Sequence, residues 1–445
     1  MNNIVKSGAR ALAAVAAVTL ASPAHPQASG TATTSSGPSP TEALAQPVSE
    51  PARDWLAFTD ELGKAGLRIH QLADGIRSPE QQAEVNQSLM WALASGMLAL
   101  SRLDPDYPDW VPMLNSGMLG VNGNMDNVYM FTRVRGTGTY RIAGDRGRLK
   151  HVFLQLSDGM LGLSKTSSHI GIYDLNDMKA TPDGRFQLLL SPVRPAGYTG
   201  NWVALDPAAK DTILFMRYIS YDWKNDRDPD FSIVRLDRPI ALPRRNAADT
   251  RERLKEIPRY IENFLSDMLL VQQRQGFMQG GENTLRDGSK QFGNVSSLNV
   301  TQQAYHMGEV RLTNGQALIL QTEIPKQCEY WSLMLMDSAM NPLDFMFRNA
   351  GLNGHDARVD PDGKVRVVIS EQDPGVGNWV DKSSYEVNGI RGRFYKCGSP
   401  TWSSLVVPIG KVRSALYPGT PAVSAAERQR ELRERIATVQ HRRRW

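Results

Sequence analysis

Cysteine is almost missing from this chain: two stand among 445 residues. So few thiols exclude a cysteine-built metal cluster and leave room for one disulfide. Also missing is any apolar run near the roughly 20 residues that a bilayer-crossing helix needs. The familiar catalytic signatures are absent: no Gly-x-Ser-x-Gly elbow, no His-Glu-x-x-His and no phosphate-binding glycine loop. Asp226-x-Asp228-x-Asp230 starts like a calcium loop, but Phe231 stands where the obligatory glycine belongs and Asp237 replaces the bidentate Glu. No motif asks for a metal or a cofactor.

A basic body is missing as well. The formal charge is +5, yet the stretch from Ala426 to Trp445 holds seven Arg and three Glu and so carries +4. Lys6 and Arg10 add +2, and 5 − 4 − 2 = −1 remains for everything between. A nucleic-acid binder carries its cationic patch on its folded domains. This chain does not, and nucleic acid is not an expected partner.

What is present is a repeat. Pro182-Asp183-Gly184 followed by Arg185–Ser191 and Asn201-Trp202-Val203 returns as Pro361-Asp362-Gly363, Lys364–Ser370 and Asn378-Trp379-Val380. Asp183 and Asp362 lie 362 − 183 = 179 positions apart, and the same step takes Leu154, Leu156 and Asp158 to Leu333, Leu335 and Asp337. Each copy reads as turn, strand, loop and Asn-Trp corner. A repeat of this length means one β-module used twice. The expected fold is mainly β with helical additions: two tandem jelly-roll or β-sandwich-like units over 109–243 and 295–419.

The remaining segments take other roles. Residues 1–28 read as a secretory signal, with Lys6 and Arg10 before the apolar run Ala11–Ala21 and cleavage after Ala24 or Ala28. The mature protein is therefore expected in the periplasm or outside the cell. Residues 29–51 are a Ser/Thr/Pro/Ala linker expected to be disordered. Helical spacing over 52–108 predicts a cap, with Trp55, Phe58, Leu62, Ile69 and Leu72 on one face and Leu89, Leu93, Met97 and Leu100 on another. Residues 244–294 form a helical connector, and 420–445 an Arg-rich helical tail, either solvated or touching an anionic surface or partner. In an oxidising compartment Cys328 and Cys397 are either bridged or two buried thiols.

Residues shared by both copies serve first what both copies share, which is folding. Asp158/Asp337, Asn201/Asn378, Trp202/Trp379 and Arg217/Arg393 are expected to be structural, the Asn tying turn backbone and Trp stacking with Arg at a sandwich end. Trp202 and Trp379 can also serve as ligand plates. A specialised site should lie where the copies differ. Unmatched residues include His169 (where the second copy has Arg348), His355 (where the first has Asn176), His151, Tyr305-His306, Asp126-Asn127-Tyr129 and Tyr140-Arg141. The candidate ligand floor is Asp126, Asn127, Tyr129, Tyr140 and Arg141, with Trp202 and Trp379; the candidate proton-transfer groups are His169, His306, His355 and Asp126.

The set Asp126-Asn127-Val128-Tyr129, Tyr140-Arg141-Ile142-x-Gly144-x-Arg146-Gly147, Asn201-Trp202, Asp360-x-Asp362-Gly363, Asp373-Pro374-Gly375 and Asn378-Trp379 resembles bacterial proteins carrying the domain of unknown function 1214. The likeness runs from about Met118 to Lys396, with the named domain at the C-terminal unit. It implies a β-rich, jelly-roll-like and often exported protein, sometimes joined to a companion domain of unknown function 1254. It implies no reaction and no catalytic residue. Three functions stay open: an exported protein binding a small polyhydroxylated or carboxylated ligand such as a carbohydrate, a hydrolase or lyase with a His or Asp base, and an envelope structural protein.

Overall fold

The two repeats become two β-sandwiches with the same strand order. The structure, a computed structural model, describes residues 48–73, 78–114, 120, 123–164, 168–209, 211–272, 280–289, 302–385 and 387–442. The expected signal and most of the expected linker lie outside the described residues. Eight strands build the first unit: β1 (Asn127–Val134), β2 (Tyr140–Asp145), β3 (His151–Asp158), β4 (Ser168–Asp174), β5 (Arg185–Ser191), β6 (Asn201–Ala204), β7 (Thr212–Ile219) and β8 (Asp230–Arg235). They pair as β1-β7-β3-β4 and β6-β5-β2-β8.

After the short β9 (Arg286–Asp287), the second unit repeats the set as β10 (Gln303–Arg311), β11 (Gln316–Thr322), β12 (Tyr330–Met336), β13 (Gly351–Asn353), β14 (Val365–Ser370), β15 (Trp379–Asp381), β16 (Val387–Tyr395) and β17 (Ser403–Pro408). Its sheets run β9-β10-β16-β12-β13 and β15-β14-β11-β17. Each strand thus occupies the place of the one nine labels earlier. Even the exception is copied, because β5/β6 and β14/β15 are parallel whereas the other ladders are antiparallel. All four sheets are open.

The corners that carry the repeat motif are superimposable in their bonding. Asn201 Nδ2 donates to the Lys179 and Gln187 carbonyls and its Oδ1 accepts from the Lys179 amide. Asn378 does the same with Arg358 and Arg366. Trp202 Nε1 donates to Ser191 Oγ and Trp379 Nε1 to Ser370 Oγ. In each Pro-Asp-Gly turn the glycine sits at positive φ, 84° and 81°, which a side chain would oppose.

Each sandwich has its own core. Val128, Leu154, Met216, Ile142, Leu188 and Phe231 fill the first, and Leu318, Leu333, Val367, Ile390 and Phe394 the second. The strands Thr-Ile-Leu-Phe-Met-Arg-Tyr-Ile (β7) and Tyr-Trp-Ser-Leu-Met-Leu-Met (β12) are buried at every position. Near-continuous burial means a sheet covered on both faces. The second cover is the other unit: Phe153 and Ile219 from the first pack with Tyr330 and Tyr395 from the second. The two β1- and β10-containing sheets therefore face each other, and Glu50–Trp445 form one compact body.

Helices close one side of this inter-sheet space. α1 (Glu50–Leu72), α2 (Pro79–Arg102) and α3 (Ala247–Gln272) share a core with Tyr129, Phe131, Phe215, Tyr305 and Met307. Ser78 caps α2 through a reciprocal box with Gln81. Of the expected stripes, Phe58, Ile69 and Leu100 are buried and Leu62, Leu72, Leu89 and Leu93 pack against the same core, whereas Trp55 and Met97 face solvent. α2 also buries Val85, Ser88, Trp91, Ala92, Ser95, Gly96 and Ala99. Small residues are needed there because α3 comes close: a Cβ at Gly96 would sit 2.7 Å from Tyr260 Cδ1.

The C-terminal end, the short α4 (Val412–Ala415) and α5 (Ala425–His441), turns back onto the second unit. Arg428 is buried, ion-paired with Asp373 and Glu431, and lies over the Trp379 ring. Cys328 and Cys397 are joined in a disulfide, Cα–Cα 3.9 Å, across 69 residues of sequence.

Candidate functional site

In an antiparallel ladder, residues directly opposite each other point to one face with Cβ atoms about 5 Å apart. Tyr129 of β1 stands opposite Arg217 of β7, and both point away from the first core toward the second unit. Tyr305 of β10 stands opposite Arg393 of β16. The two pairs are one pair duplicated, since 305 − 129 and 393 − 217 are both 176. The third member is copied too: Arg217 Nη1 donates to Gln155 Oε1 at 2.6 Å, and Arg393 Nη1 to Met334 Sδ at 3.2 Å. Because the two sheets face each other, both sets meet in one buried space.

Arg391 joins them. It lies two residues before Arg393 on the same face of β16 and is 1 % exposed. Burial pushes Arg217 down to about 10 and holds Arg391 well below the usual guanidinium range. Among the groups whose charge acts on Arg391 are Arg393, which lowers it further, and the phenols Tyr305 and Tyr129. Burial likewise raises the Tyr129 phenol, while Arg393 and Arg217 pull it back. Tyr129 Oη accepts from Asn127 Nδ2 at 3.1 Å, and Asn127 Oδ1 is buried without a hydrogen-bond partner among the described residues. Phe131 stacks on Phe215 at 4.2 Å, and the Arg217 guanidinium lies 4.1 Å from the Phe215 ring centre. Three guanidinium groups, two phenols, an orphan amide and an aromatic wall thus share one inter-unit space. Guanidinium and phenol groups are donors from which anionic oxygen accepts hydrogen bonds.

Comparisons with known proteins give a family for part of the second unit and a fold for most of the chain. Residues 306–398 match the family described as protein of unknown function DUF1214. The chain carries a DUF1214 region. That region supplies β11 to β16 and with them Arg391 and Arg393, while Tyr129 and Arg217 come from the unit before it. An uncharacterised protein from Burkholderia cenocepacia is similar over 84% of this chain and 99% of its own, at 22% identity and a TM-score of 0.72. The likeness is one of fold. The VPA0106 protein of Vibrio parahaemolyticus aligns over 76% of this chain and 100% of its own at 10% identity and a TM-score of 0.42. No curated protein matches the chain.

The other residues singled out in the sequence are distributed as follows. Asp126 is wholly buried at the joint between the DUF1214 region and the first unit. Its Oδ1 accepts from Trp223 Nε1 (2.8 Å) and Asn353 Nδ2 (2.9 Å), its Oδ2 from Tyr330 Oη (2.7 Å). Burial raises its pKa against those donors. With both oxygens engaged across the joint, it acts as a clamp between units. Tyr140 lies in the first core, its hydroxyl donating to the Pro105 carbonyl and accepting from the Arg135 amide. Arg141 points outward from the β6-β5-β2-β8 sheet and is exposed. Neither reaches the arginine cluster.

The histidines do not converge. His169 is on edge strand β4, where burial and Arg217 lower its pKa. His306 points into the second unit, its Nε2 3.0 Å from Ser399 Oγ and its ring 4.6 Å from Phe394, and burial lowers it to about 4. His355 borders a separate cavity of about 350 Å3 beneath α5, its Nε2 3.7 Å from Asp222. Among the described residues no group of three His, Cys, Asp or Glu side chains could hold a metal.

Two expectations need correcting. Arg217 and Arg393 do not stack on Trp202 and Trp379: strand period 2 turns them to the inter-unit face, and Arg428 from α5 covers Trp379 instead. Tyr305 is not an unmatched residue but the second copy of Tyr129. The missed signal was arithmetic. The repeat runs at 179 in β3 and β5, at 177 in the Asn-Trp corners and at 176 in β1 and β7, so a search at 179 passes over the match of Tyr129 with Tyr305.

Proposed function

We propose that this chain is an exported binding protein for a small carboxylate-bearing ligand, held between its two β-sandwiches. The observation that carries this reading is the duplicated Tyr–Arg pair: Tyr129 with Arg217 and Tyr305 with Arg393 turn toward one buried space, where Arg391 adds a third guanidinium. The planar guanidinium fork matches a carboxylate in two hydrogen bonds. Ligand sites favour such inter-domain spaces. Of the two ligand chemistries expected from sequence, the carboxylated one is favoured over the carbohydrate. The Trp202 and Trp379 rings, which would serve as sugar plates, are engaged in their own corners. The Cys328–Cys397 bond supports an oxidising compartment.

Calorimetric titration of the purified protein with acetate, succinate, citrate and inorganic phosphate at low ionic strength tests this. Saturable binding of a carboxylate, weakened by roughly tenfold or more in Arg217→Gln and in Arg393→Gln, is the expected result, since one charge-assisted hydrogen bond carries about that much. Equal affinity in wild type and both variants would remove the site. Fractionation of cells producing the full chain tests export, and a wholly cytosolic protein would refute it.

A further inference from the structure

The cavity beneath α5 is a second candidate site, and it does not depend on the space between the sheets. We infer that it binds a small zwitterion, a molecule carrying one ammonium and one carboxylate, with Asp356 taking the ammonium and Arg435 the carboxylate.

Three parts of the chain meet around this space of about 350 Å3: the loop Asp222–Asn225 after β7 of the first unit, the stretch from Asn349 to Arg358 that contains β13 of the second, and one face of α5. Its size suits one small molecule. Four of its lining side chains are basic and four acidic, so the lining has zero net charge with His355 neutral. A simple anion or a simple cation meets like charge there. A ligand that is neutral as a whole but charged at both ends matches it.

Several of these charges already satisfy one another. Arg428 pairs with Asp373 and Glu431, Arg358 pairs with Glu427 and Glu431, and His355 Nε2 lies 3.7 Å from Asp222. Asp356 and Arg435 differ. Among the described residues the Asp356 carboxylate receives no hydrogen bond and no ion pair; only the charges of Arg435, His355 and Asp222 act on it from a distance. The residue opens to solvent, yet the protein packed around its carboxyl raises its pKa. Arg435 donates to neutral oxygens, Nη2 to Asn349 Oδ1 at 2.7 Å and Nη1 to the Phe345 carbonyl at 3.4 Å. No carboxylate of the described residues is in ion-pair contact with it. Burial lowers its pKa, against the charges of Asp356 and Asp126. The Trp223 ring, 5.1 Å from the guanidinium, holds the group in place.

Asp356 and Arg435 thus feel each other's charge without touching. A ligand bearing both charges closes that gap: its ammonium donates to Asp356, and its carboxylate accepts from the N–H groups that Arg435 has left. Leu352 and Leu432 line the cavity with apolar surface for the carbons between.

Calorimetric titration of the full protein with glycine, γ-aminobutyrate and 6-aminohexanoate, whose charges lie increasingly far apart, tests this. Butylamine, butyrate, hexylamine and hexanoate are the single-charge counterparts. One zwitterion is expected to bind roughly tenfold or more tighter than every counterpart. Asp356→Asn and Arg435→Gln should each bring it down to their level, and the partly exposed Asp356 keeps the test open should Arg435→Gln fail to fold. Arg217→Gln should leave zwitterion binding unchanged. Binding that survives Asp356→Asn but is lost in Arg217→Gln places the ligand between the sheets and overturns this site. A zwitterion that binds no tighter than its counterparts, or not at all, overturns it too and leaves the carboxylate site between the sheets standing.

Discussion

Arg391 of the second unit occupies the strand position that Phe215 holds in the first. The two residues point into the same inter-sheet space from opposite walls, one as a buried guanidinium and one as a stacked ring. Matching positions of the two copies thus carry a neutral residue on one wall and a charged one on the other. A buried cation is a cost that an apolar residue of similar volume avoids.

Arg391→Met is therefore expected to make the ligand-free protein more stable, by about 1–2 kcal/mol, while weakening anion binding. Urea denaturation of the two proteins in a buffer without carboxylate or phosphate reads the difference directly. A lower midpoint in the variant would show that Arg391 supports the fold and is not held there for a guest.

Much of the architecture was legible because its signals are local. The Pro-Asp-Gly turns and the Leu-x-Leu-x-Asp strands repeat at a step of 179 and the Asn-Trp corners at 177, and the corners recur in the structure with the same hydrogen bonds. The inter-unit site was only half legible. Asn127 and Tyr129 stood out in the sequence, but Arg217 and Arg393 looked structural because both copies have them. That logic fails when two copies face each other, since a shared residue then builds a symmetric site between them. Arg391 carried no signal, being one arginine in an Arg-x-Arg strand. The near-continuous burial of β7 and β12 was the available clue: strands apolar on both faces announce a second layer, and a charged residue in such a strand is buried. Arg217 is the charged residue of β7.

A second buried charge sits where α2 meets the second unit. Asp337 accepts from the Asn341 and Ala339 amides and from Asn341 Nδ2, and Glu84 of α2 accepts from the Ser338 amide and hydroxyl. Burial foremost, then the Glu84 charge, pushes Asp337 up to about 8. The folded protein thus binds this proton more tightly than the unfolded chain does, so the stability that Asp337 contributes is greatest at low pH and is lost as pH rises toward 8. Between pH 6.5 and 8 the expected loss is about 1.5 kcal/mol. His306, lowered to about 4 by burial, acts with the opposite sign and below that window, destabilising the fold as pH drops from 6.5. Urea midpoints at pH 6.5 and 8 should differ accordingly in wild type and nearly coincide in Asp337→Asn. An undiminished difference in the variant would assign the effect to another group.

The Arg-rich C-terminal helix divides into two faces with opposite energetics. Arg428 is buried against the second unit, where Nε pairs with Asp373 at 2.9 Å, Nη1 with Glu431 at 2.6 Å, and Nη2 donates to the Val376 carbonyl at 2.6 Å. Arg430 and Arg433 are exposed on the same helix. Removing Arg428 leaves the buried carbonyl without its donor and uncovers the Trp379 ring, the repeated corner of that sandwich. Loss of one partner from such a buried network costs about 3 kcal/mol, whereas exposed side chains stay within about 0.5 kcal/mol. Arg428→Ala should therefore lower the unfolding free energy by that larger amount, and Arg430→Ala with Arg433→Ala should leave it unchanged. The same three variants sort the helix's two roles, because a contact with an anionic surface would use the exposed pair. Equal small effects from all three would mean that the helix does not hold the second sandwich in solution, and that its basic residues act elsewhere.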